Sequence, residues 1–240
     1  MRLDKYLTQA GIGTRSQVKE YIRKGLVMVD GRTEHRCECK IDETLCLVSC
    51  QGRPVGFQKM AYYMLNKPAG CVSATRDQRE QTVLDLVKDT GRRDLFPVGR
   101  LDKDTEGLLL LTNDGMLAHR LLSPGKHVPK QYLAVLSHDL TQEQIAILEQ
   151  GADIGEAQPA KPAVFSWQDR EKAEALLTVT EGKFHQVKRM FASVGCQVLS
   201  LKRLSMGSLV LDKTLAPGQY RPLLREELES LLKLTKLEDR

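Results

Sequence analysis

The order of hydrophobic and polar positions at the start of the chain predicts two helices and a hairpin. Apolar residues recur at helical spacing over residues 3–10, and glycines end that helix at positions 11 and 13. A second helix is predicted over residues 15–24, and Gly25 ends it. An apolar run at 26–29 then leads into Asp30-Gly31, a dipeptide typical of tight β-hairpin turns. The front of the chain therefore predicts a small module of two helices and short strands.

From residue 62 onward the pattern changes to apolar strand-like runs separated by helical stretches. The predicted strands are YYMLNK (62–67), LLLLT (108–112), QYLAVLS (131–137), ALLTVTEG (175–182) and QVLSLKRLSMGSLVL (197–211). Helices are predicted in DGMLAHRLLSP, TQEQIAILEQG and KFHQVKRMFASVG, and in the charged segment after residue 223. Strands outnumber helices and do not alternate strictly with them. This order predicts an α+β fold with a mainly antiparallel sheet.

Glycine and proline in CQGRPVG divide the chain into two parts. We predict a small domain over residues 1–48, a linker over 49–60 and a larger domain over 61–240. At 240 residues, of which 41% are hydrophobic, the chain is long enough to bury a core without disulfides or metals.

Positive charge is concentrated in the first quarter of the chain. Residues 1–58 contain ten lysines and arginines against seven acids, a net charge of +3 out of +5 for the whole sequence. Arg15, Lys19 and Arg23 recur every four residues on one face of the second predicted helix. Like charges at this spacing repel each other, so the face is either simply solvated or meets an anionic partner.

Four of the six cysteines fall within residues 37–50, which raises the question of a zinc site. Their spacing, C-x-C and then C-x3-C, is not the paired C-x2-C of zinc knuckles and ribbons, so we predict reduced structural thiols and no metal. The first residues, MRLDKYLTQAG, lack the apolar core of a signal peptide, and no apolar run has the length of a membrane span. We therefore expect a cytoplasmic protein.

A loop with three carboxylates precedes four consecutive leucines in GRLDKDTEGLLLLT. The acids are Asp102, Asp104 and Glu106. Such a loop is most often ordinary surface chemistry, but one of the acids can instead act in a pocket. On that hypothesis the leucine run is a buried strand that forms the floor of the pocket and keeps water out.

A second cluster supports the pocket hypothesis. The segment TEGKFHQVKRMF brings Lys183, His185, Lys188 and Arg189 into a short span, and PKQYLAV adds a lysine and a tyrosine. An acid beside cations has its pKa lowered and stays ionised, which suits a nucleophile or a stabiliser of positive charge.

The first part of the chain, RLDKYLTQAGIGTRSQVKEYIRKGLVMVDG, resembles the S4 RNA-binding domain. That family docks the basic face of its second helix and the hairpin edge against structured RNA. The resemblance implies phosphate contacts, which give affinity but little sequence choice, from Arg15, Lys19, Arg23 and Lys24.

The rest of the chain resembles the pseudouridine synthases that carry an N-terminal S4 domain and modify ribosomal RNA. Four motifs occur in the family's order: LNKPAGCVSAT, FPVGRLDKDTEGLLLLTNDG, PKQYLAVL and TEGKFHQVKRMFASVG. The lysine after QV favours the ribosomal small subunit pseudouridine synthase A type, which acts on 16S rRNA, over large-subunit relatives. The resemblance implies isomerisation of a uridine, in which the base is detached and rejoined through C5.

The resemblance also implies roles for individual residues. Asp102 is the expected nucleophile, attacking either the ribose C1′ or the pyrimidine ring, and both routes stay open. Tyr132 is expected to stack on the uracil and to help remove the C5 proton, and Lys188 to pair with Asp102. Contacts with substrate or RNA are expected from Arg100, Lys67, Lys130, Gln186 and Arg189, with Lys67 also expected to shape its loop.

No cofactor is expected, because the isomerisation consumes neither water nor a redox partner. The expected partner is ribosomal RNA or an assembly intermediate of a ribosomal subunit, with no membrane, and the chain is expected to be a monomer. Three alternatives remain: a synthase for 23S rRNA of the large subunit, a non-catalytic RNA-binding assembly factor, and a DNA-binding regulator. The last is the weakest, because no recognition helix with base-reading side chains stands out.

Overall fold

The computed structural model of the protein describes residues 1–42, 46–55 and 60–237. The described chain forms two compact units. One comprises Met1–Ala61 together with Lys88–Leu95, and the other comprises Tyr62–Val87 and Phe96–Arg240.

The small unit packs two helices against a four-stranded antiparallel sheet, as counted over its described residues. The elements are α1 (Leu3–Gln9), α2 (Arg15–Arg23), β1 (Val27–Val29), β2 (Arg32–Thr33), β3 (Val48–Cys50) and β4 (Arg53–Pro54), with strand order β2-β1-β3-β4. A capping box between Thr14 and Gln17 starts α2. The predicted hairpin is confirmed, because Asp30 and Gly31 both have positive φ between β1 and β2.

The predicted linker over 49–60 differs from the structure in its first half. Cys50 ends β3, β4 follows after a turn at Gly52, and the side chains of Cys50 and Val55 are buried in the core of the small unit. Glycine and proline there make a hairpin rather than a free connection. Residues 56–59 of the predicted linker lie outside the described residues. We therefore propose a small domain that extends to Ala61 rather than to residue 48.

The larger unit is built on a mainly antiparallel sheet, which confirms the predicted α+β fold. Its strands are β5 (Tyr62–Lys67), β6 (Phe96–Pro97), β7 (Glu106–Thr112), β8 (Lys130–Leu136), β9 (Val164–Asp169), β10 (Glu174–Val179), β11 (Val198–Met206), β12 (Leu209–Val210) and β13 (Tyr220–Pro222). The main path runs β13-β5-β7-β11-β8-β10-β9, with β12 beside β11 and β6 beside β7. Among the described strands, only β7 and β11 pair in parallel.

Four helices of the described chain flank this sheet: α3 (Gly115–Leu122), α4 (Gln142–Gln150), α5 (Gln186–Ser193) and α6 (Arg225–Thr235). The predicted starts of two helices are confirmed. The Asp114 carboxylate accepts hydrogen bonds from two backbone amides at the start of α3, and Thr141 and Gln144 form the capping box of α4. One face of α5 is buried, with Val187, Met190 and Phe191 in the core.

Close contact between β7 and β11 brings the acidic loop to the centre of the sheet. Gly107 pairs with Arg203, and a Cβ added at Gly107 would lie 2.3 Å from the Arg203 carbonyl oxygen. Glycine, which also tolerates the φ of +99° found here, is therefore required for this approach. The approach places the residues just before β7, Asp102 among them, beside the strand that follows α5.

Candidate active site

The loop that carries Asp102 is held by buried hydrogen bonds. The Lys67 ammonium, at the end of β5, donates to three backbone carbonyl oxygens, at 3.0 Å in Pro68, 3.2 Å in Lys103 and 2.8 Å in Thr105. The Thr105 amide in turn donates to the Asp102 carbonyl at 3.1 Å. These bonds fix the backbone that follows Asp102, and the Ser73 hydroxyl fixes the backbone before it by bonding to both the amide and the carbonyl of Leu101.

Two groups from the start of α5 meet the Asp102 carboxylate. His185 Nε2 lies 3.4 Å from Oδ1, and Lys188 Nζ lies 3.6 Å from Oδ2. The Asp102 side chain is 25% exposed, so the carboxylate is partly shielded from solvent. The carboxylate is therefore within ion-pair distance of the Lys188 ammonium and faces the His185 ring.

Lys188 is shared between two carboxylates rather than reserved for Asp102. Its Nζ lies 2.5 Å from Asp104 Oδ1, closer than to Asp102, and Asp104 is 73% exposed. The hydrogen bond from Lys188 lowers the pKa of Asp104 below its ordinary value, although partial burial opposes the shift. A lysine ammonium carries three donors and no fixed fork, so it can serve both acids at once.

A cleft opens beside Asp102, and Tyr132 on β8 lines it together with the acid. Its apolar lining comes from Leu101, Val179, Val187 and Leu201. The hypothesis that leucines 108–111 form its floor is wrong. Those side chains are fully buried inside the sheet, and none of them lines the cleft, because a central strand directs its side chains into the cores on both faces.

Sequence reasoning placed His185 in the basic cluster near the pocket but gave it no role in the site. The chain at His185 is left-handed, with φ of 48°, and the residue stands at the start of α5 rather than inside a longer helix. Its ring therefore faces the Asp102 carboxylate. The cluster of basic residues around HQVKR was a signal for this region, but the turn that aims the imidazole was not visible in it.

Three further residues predicted to contact RNA lie in or beside the cleft, but their side chains are not equally free to contact a ligand. Arg100 lines the cleft and is exposed. Gln186 also lines the cleft, but its side chain is buried and already hydrogen-bonded. Its Oε1 accepts from the backbone amide of Lys183 at 3.0 Å, and its Nε2 donates to the Glu181 carboxylate at 2.8 Å. Arg189 does not line it, and its guanidinium donates to Glu156 at 2.7 Å and to backbone carbonyl oxygens. Of the three, only Arg100 presents a free charge to a ligand in the described part of the chain.

The predicted RNA contacts of Lys67 and Lys130 need correction, because both side chains are buried. Lys67 is fully buried and its ammonium donates to three carbonyl oxygens, so it holds the loop, which is the other role expected for it. Lys130 is 7% exposed and donates to the Val128 carbonyl at 2.8 Å. Burial, assisted by the positive charge of Arg203, lowers the pKa of Lys130 to about 8.

The basic face of α2 is exposed as predicted. Arg15, Lys19 and Arg23 have no ion-pair partner among the residues that the structure describes, whereas Lys24 pairs with Glu20 at 2.7 Å. The face is therefore free to meet phosphates at three of its four predicted positions.

The described residues contain no group of three or more histidines, cysteines and acids placed to hold a metal ion. The six cysteines are free thiols. Over residues 1–42, 46–55 and 60–237, no helix has the length and apolar character needed to cross a membrane.

Comparison with known families decides what this arrangement is. The RNA pseudouridylate synthase family matches residues 61–193, which include Asp102, Tyr132 and Lys188. The chain belongs to the RNA pseudouridylate synthase family. The S4 domain matches residues 1–33, so this pseudouridine synthase, an RNA isomerase, carries an RNA-binding module at its front.

Relatives of this synthase are similar over nearly their whole length. An uncharacterized RNA pseudouridine synthase, YtzG of Bacillus subtilis (strain 168), is 49% identical over 96% of this chain and 98% of its own. The ribosomal small subunit pseudouridine synthase A of Vibrio cholerae is 40% identical over 97% of this chain and 100% of its own. A solved pseudouridylate synthase shares 36% identity, with a TM-score of 0.68 over 96% of this chain and 99% of that one.

Proposed function

We propose that this pseudouridine synthase isomerises a uridine in the 16S rRNA of the small ribosomal subunit, with Asp102 as the nucleophile. The observation that carries the proposal is the placement of the Asp102 carboxylate in a cleft with Tyr132, beside the Lys188 ammonium and the His185 imidazole. A pyrimidine extruded from RNA would enter this cleft, at a cost of a few kcal/mol in lost stacking.

Asp102 attacks either the ribose C1′ or the pyrimidine ring of the extruded uridine. In both routes the acid reacts as the carboxylate, and Lys188 Nζ and His185 Nε2 lie 3.6 and 3.4 Å from its two oxygens. Tyr132 lies in the cleft where its ring can cover the uracil and its phenol can assist removal of the C5 proton.

The small-subunit substrate is supported by the relatives. Those named ribosomal small subunit pseudouridine synthase A, from Vibrio, Haemophilus, Yersinia and Salmonella, are 37–40% identical to this chain. We propose that the free cations of α2 bind phosphates of the same RNA and that Arg100 contacts it at the cleft. On this account the protein acts as a monomer in the cytoplasm.

The experiment uses unmodified small-subunit and large-subunit rRNA transcripts that carry tritium at uracil C5. Isomerisation through C5 releases the tritium, so the proposal predicts release from the small-subunit transcript and little from the large-subunit one. Release from the large-subunit transcript alone would overturn the substrate assignment. Tight binding without release from either transcript would favour a non-catalytic assembly factor.

A further inference from the structure

An exposed aromatic ring stands beside the mouth of the cleft. Phe184 is 69% exposed, although phenylalanine, tyrosine and tryptophan together make up only 5% of the sequence. Its inner face stacks on the His185 imidazole, with ring centroids 3.8 Å apart and 18° between the planes. His185 in turn lines the cleft and faces Asp102. The outer face of the Phe184 ring is open to solvent next to the reacting position.

The ring is presented by a fixed turn. The Phe184 carbonyl accepts a hydrogen bond from Arg189 Nη1 at 3.0 Å, and Glu156 holds the same guanidinium at 2.7 Å. The neighbouring Lys183 donates through its backbone amide to Gln186 and through its ammonium to the carbonyl oxygens of residues 158 and 159. Since the backbone on both sides of Phe184 is bonded, little further ordering is needed for a ligand to use the ring.

The occupant that fits this ring is a planar aromatic group close to the extruded nucleotide. When a uridine leaves the stack, the bases on either side of it each lose a stacking partner. Every base has a π-face, so an aromatic side chain can replace that partner whatever the sequence. The exposed Arg100 at the same cleft adds attraction for the backbone of a nucleic acid, which favours RNA over a protein or lipid surface.

We propose that the outer face of Phe184 stacks on the nucleobase next to the extruded uridine and holds the RNA at the cleft mouth. This inference rests on the proposed function, because it takes the partner of the cleft to be RNA. It assigns a binding subsite to a residue outside the reacting groups.

A fluorescent variant tests the contact apart from catalysis. Trp167 is the single tryptophan of the sequence, so Phe184→Trp combined with Trp167→Phe places one fluorophore at the cleft mouth. Asp102→Asn is added so that no turnover occurs, and the unmodified 16S rRNA transcript is the probe. If the ring stacks on a base, the tryptophan fluorescence should be quenched at the same RNA concentrations at which filter retention shows binding. RNA retained without quenching would overturn the proposal, whether or not the wild-type protein releases tritium.

Kinetics with single variants give the second measurement. Phe184→Ala is expected to raise KM about 5- to 150-fold, the range that one stacked base contributes, with a smaller effect on kcat. Phe184→Tyr keeps the ring and should keep the wild-type KM, whereas Phe184→Leu keeps apolar area without a ring and should resemble alanine. Val164, on β9, is 67% exposed, and Val164→Ala is the matched control. A wild-type KM for Phe184→Leu would contradict stacking.

Discussion

Cations in the two units of the molecule are used in opposite ways. On α2 of the small unit, Arg15, Lys19 and Arg23 extend into solvent without an ion-pair partner in the described chain. In the larger unit, Lys67 and Lys130 are buried and donate to backbone carbonyl oxygens. The same residue types therefore attract a ligand in one unit and hold the framework of a site in the other.

The exposure of a basic side chain can be predicted from sequence when the residue lies on a helix, but less well when it ends a strand. A helix exposes one face at a known period, so three cations spaced by four residues are expected to be on the surface together. The direction of a lysine side chain at the end of a strand depends on the turn that follows, and the sequence does not define the path of that turn. Lys67, inside the first motif, ends β5 and turns inward under the Asp102 loop; the motif predicted a role in shaping the loop but not the burial that removes its contact with RNA.

The largest effect on stability is expected at Lys67. Lys67→Met leaves three carbonyl oxygens without their donor, so we expect the free energy of unfolding to fall by roughly 2 to 4 kcal/mol. Activity should fall as well, because the Asp102 loop loses its anchor. Urea unfolding measures the change, and Lys126→Met, at an exposed lysine of the same unit, is the control. Unchanged stability with weakened RNA binding would instead support the surface contact expected from sequence.

Removal of the free cations should act on RNA affinity and not on stability. The triple change of Arg15, Lys19 and Arg23 to glutamine is expected to weaken RNA binding on the order of ten- to hundredfold at 0.15 M salt. The slope of log K against log salt, which is negative, should become less steep by about 2 to 3, because each lost phosphate contact releases nearly one counterion fewer on binding. Filter binding over a salt series measures both quantities. Lys24→Gln should have less effect, because Glu20 already pairs with Lys24.

Lys130 gives the smallest of these effects and a distinctive pH dependence. Its pKa is about 8 in the folded protein, whereas an unfolded lysine keeps its proton up to about pH 10.4. Between these values the unfolded chain binds more protons, so the free energy of unfolding should rise with pH. Lys130→Met should remove this rise, and at pH 7 the relief of burying a charge is opposed by loss of the hydrogen bond to the Val128 carbonyl, so stability should change by no more than about 1 kcal/mol. Chemical unfolding at pH 7, 8 and 10 measures the change; a loss of RNA affinity would contradict the buried position.

Much of the fold was predictable because its signals are local. Helix starts at Asp114 and Thr141, the hairpin at Asp30-Gly31 and the leucine-rich β7 each follow from adjacent residues and are confirmed. Strand β9 was not predicted, since it lies at the edge of the sheet and its residues are alternately exposed and half-buried. An edge strand of this kind lacks the strong apolar alternation that marks a strand in sequence.

The site was predictable in its motifs but not in its contacts. The motifs named Asp102 and Tyr132 as site residues, and the fold brings both into one cleft with the start of α5. The preference of Lys188 for Asp104 and the approach of His185 depend on turn geometry and distances between elements far apart in sequence. Their catalytic roles stay predictions.

The central claim is that Asp102, and not the neighbouring acid that shares Lys188, is the reacting carboxylate. The most direct measurement is single-turnover tritium release from the small-subunit transcript with enzyme in excess, with RNA binding followed in the same samples. The account predicts that Asp102→Asn binds RNA but loses roughly a thousandfold or more in rate, as expected when a nucleophile is removed. Asp104→Asn should stay within about threefold, because an exposed ion pair contributes little. Turnover by Asp102→Asn near the wild-type rate, or an equal loss in both variants, would contradict the account.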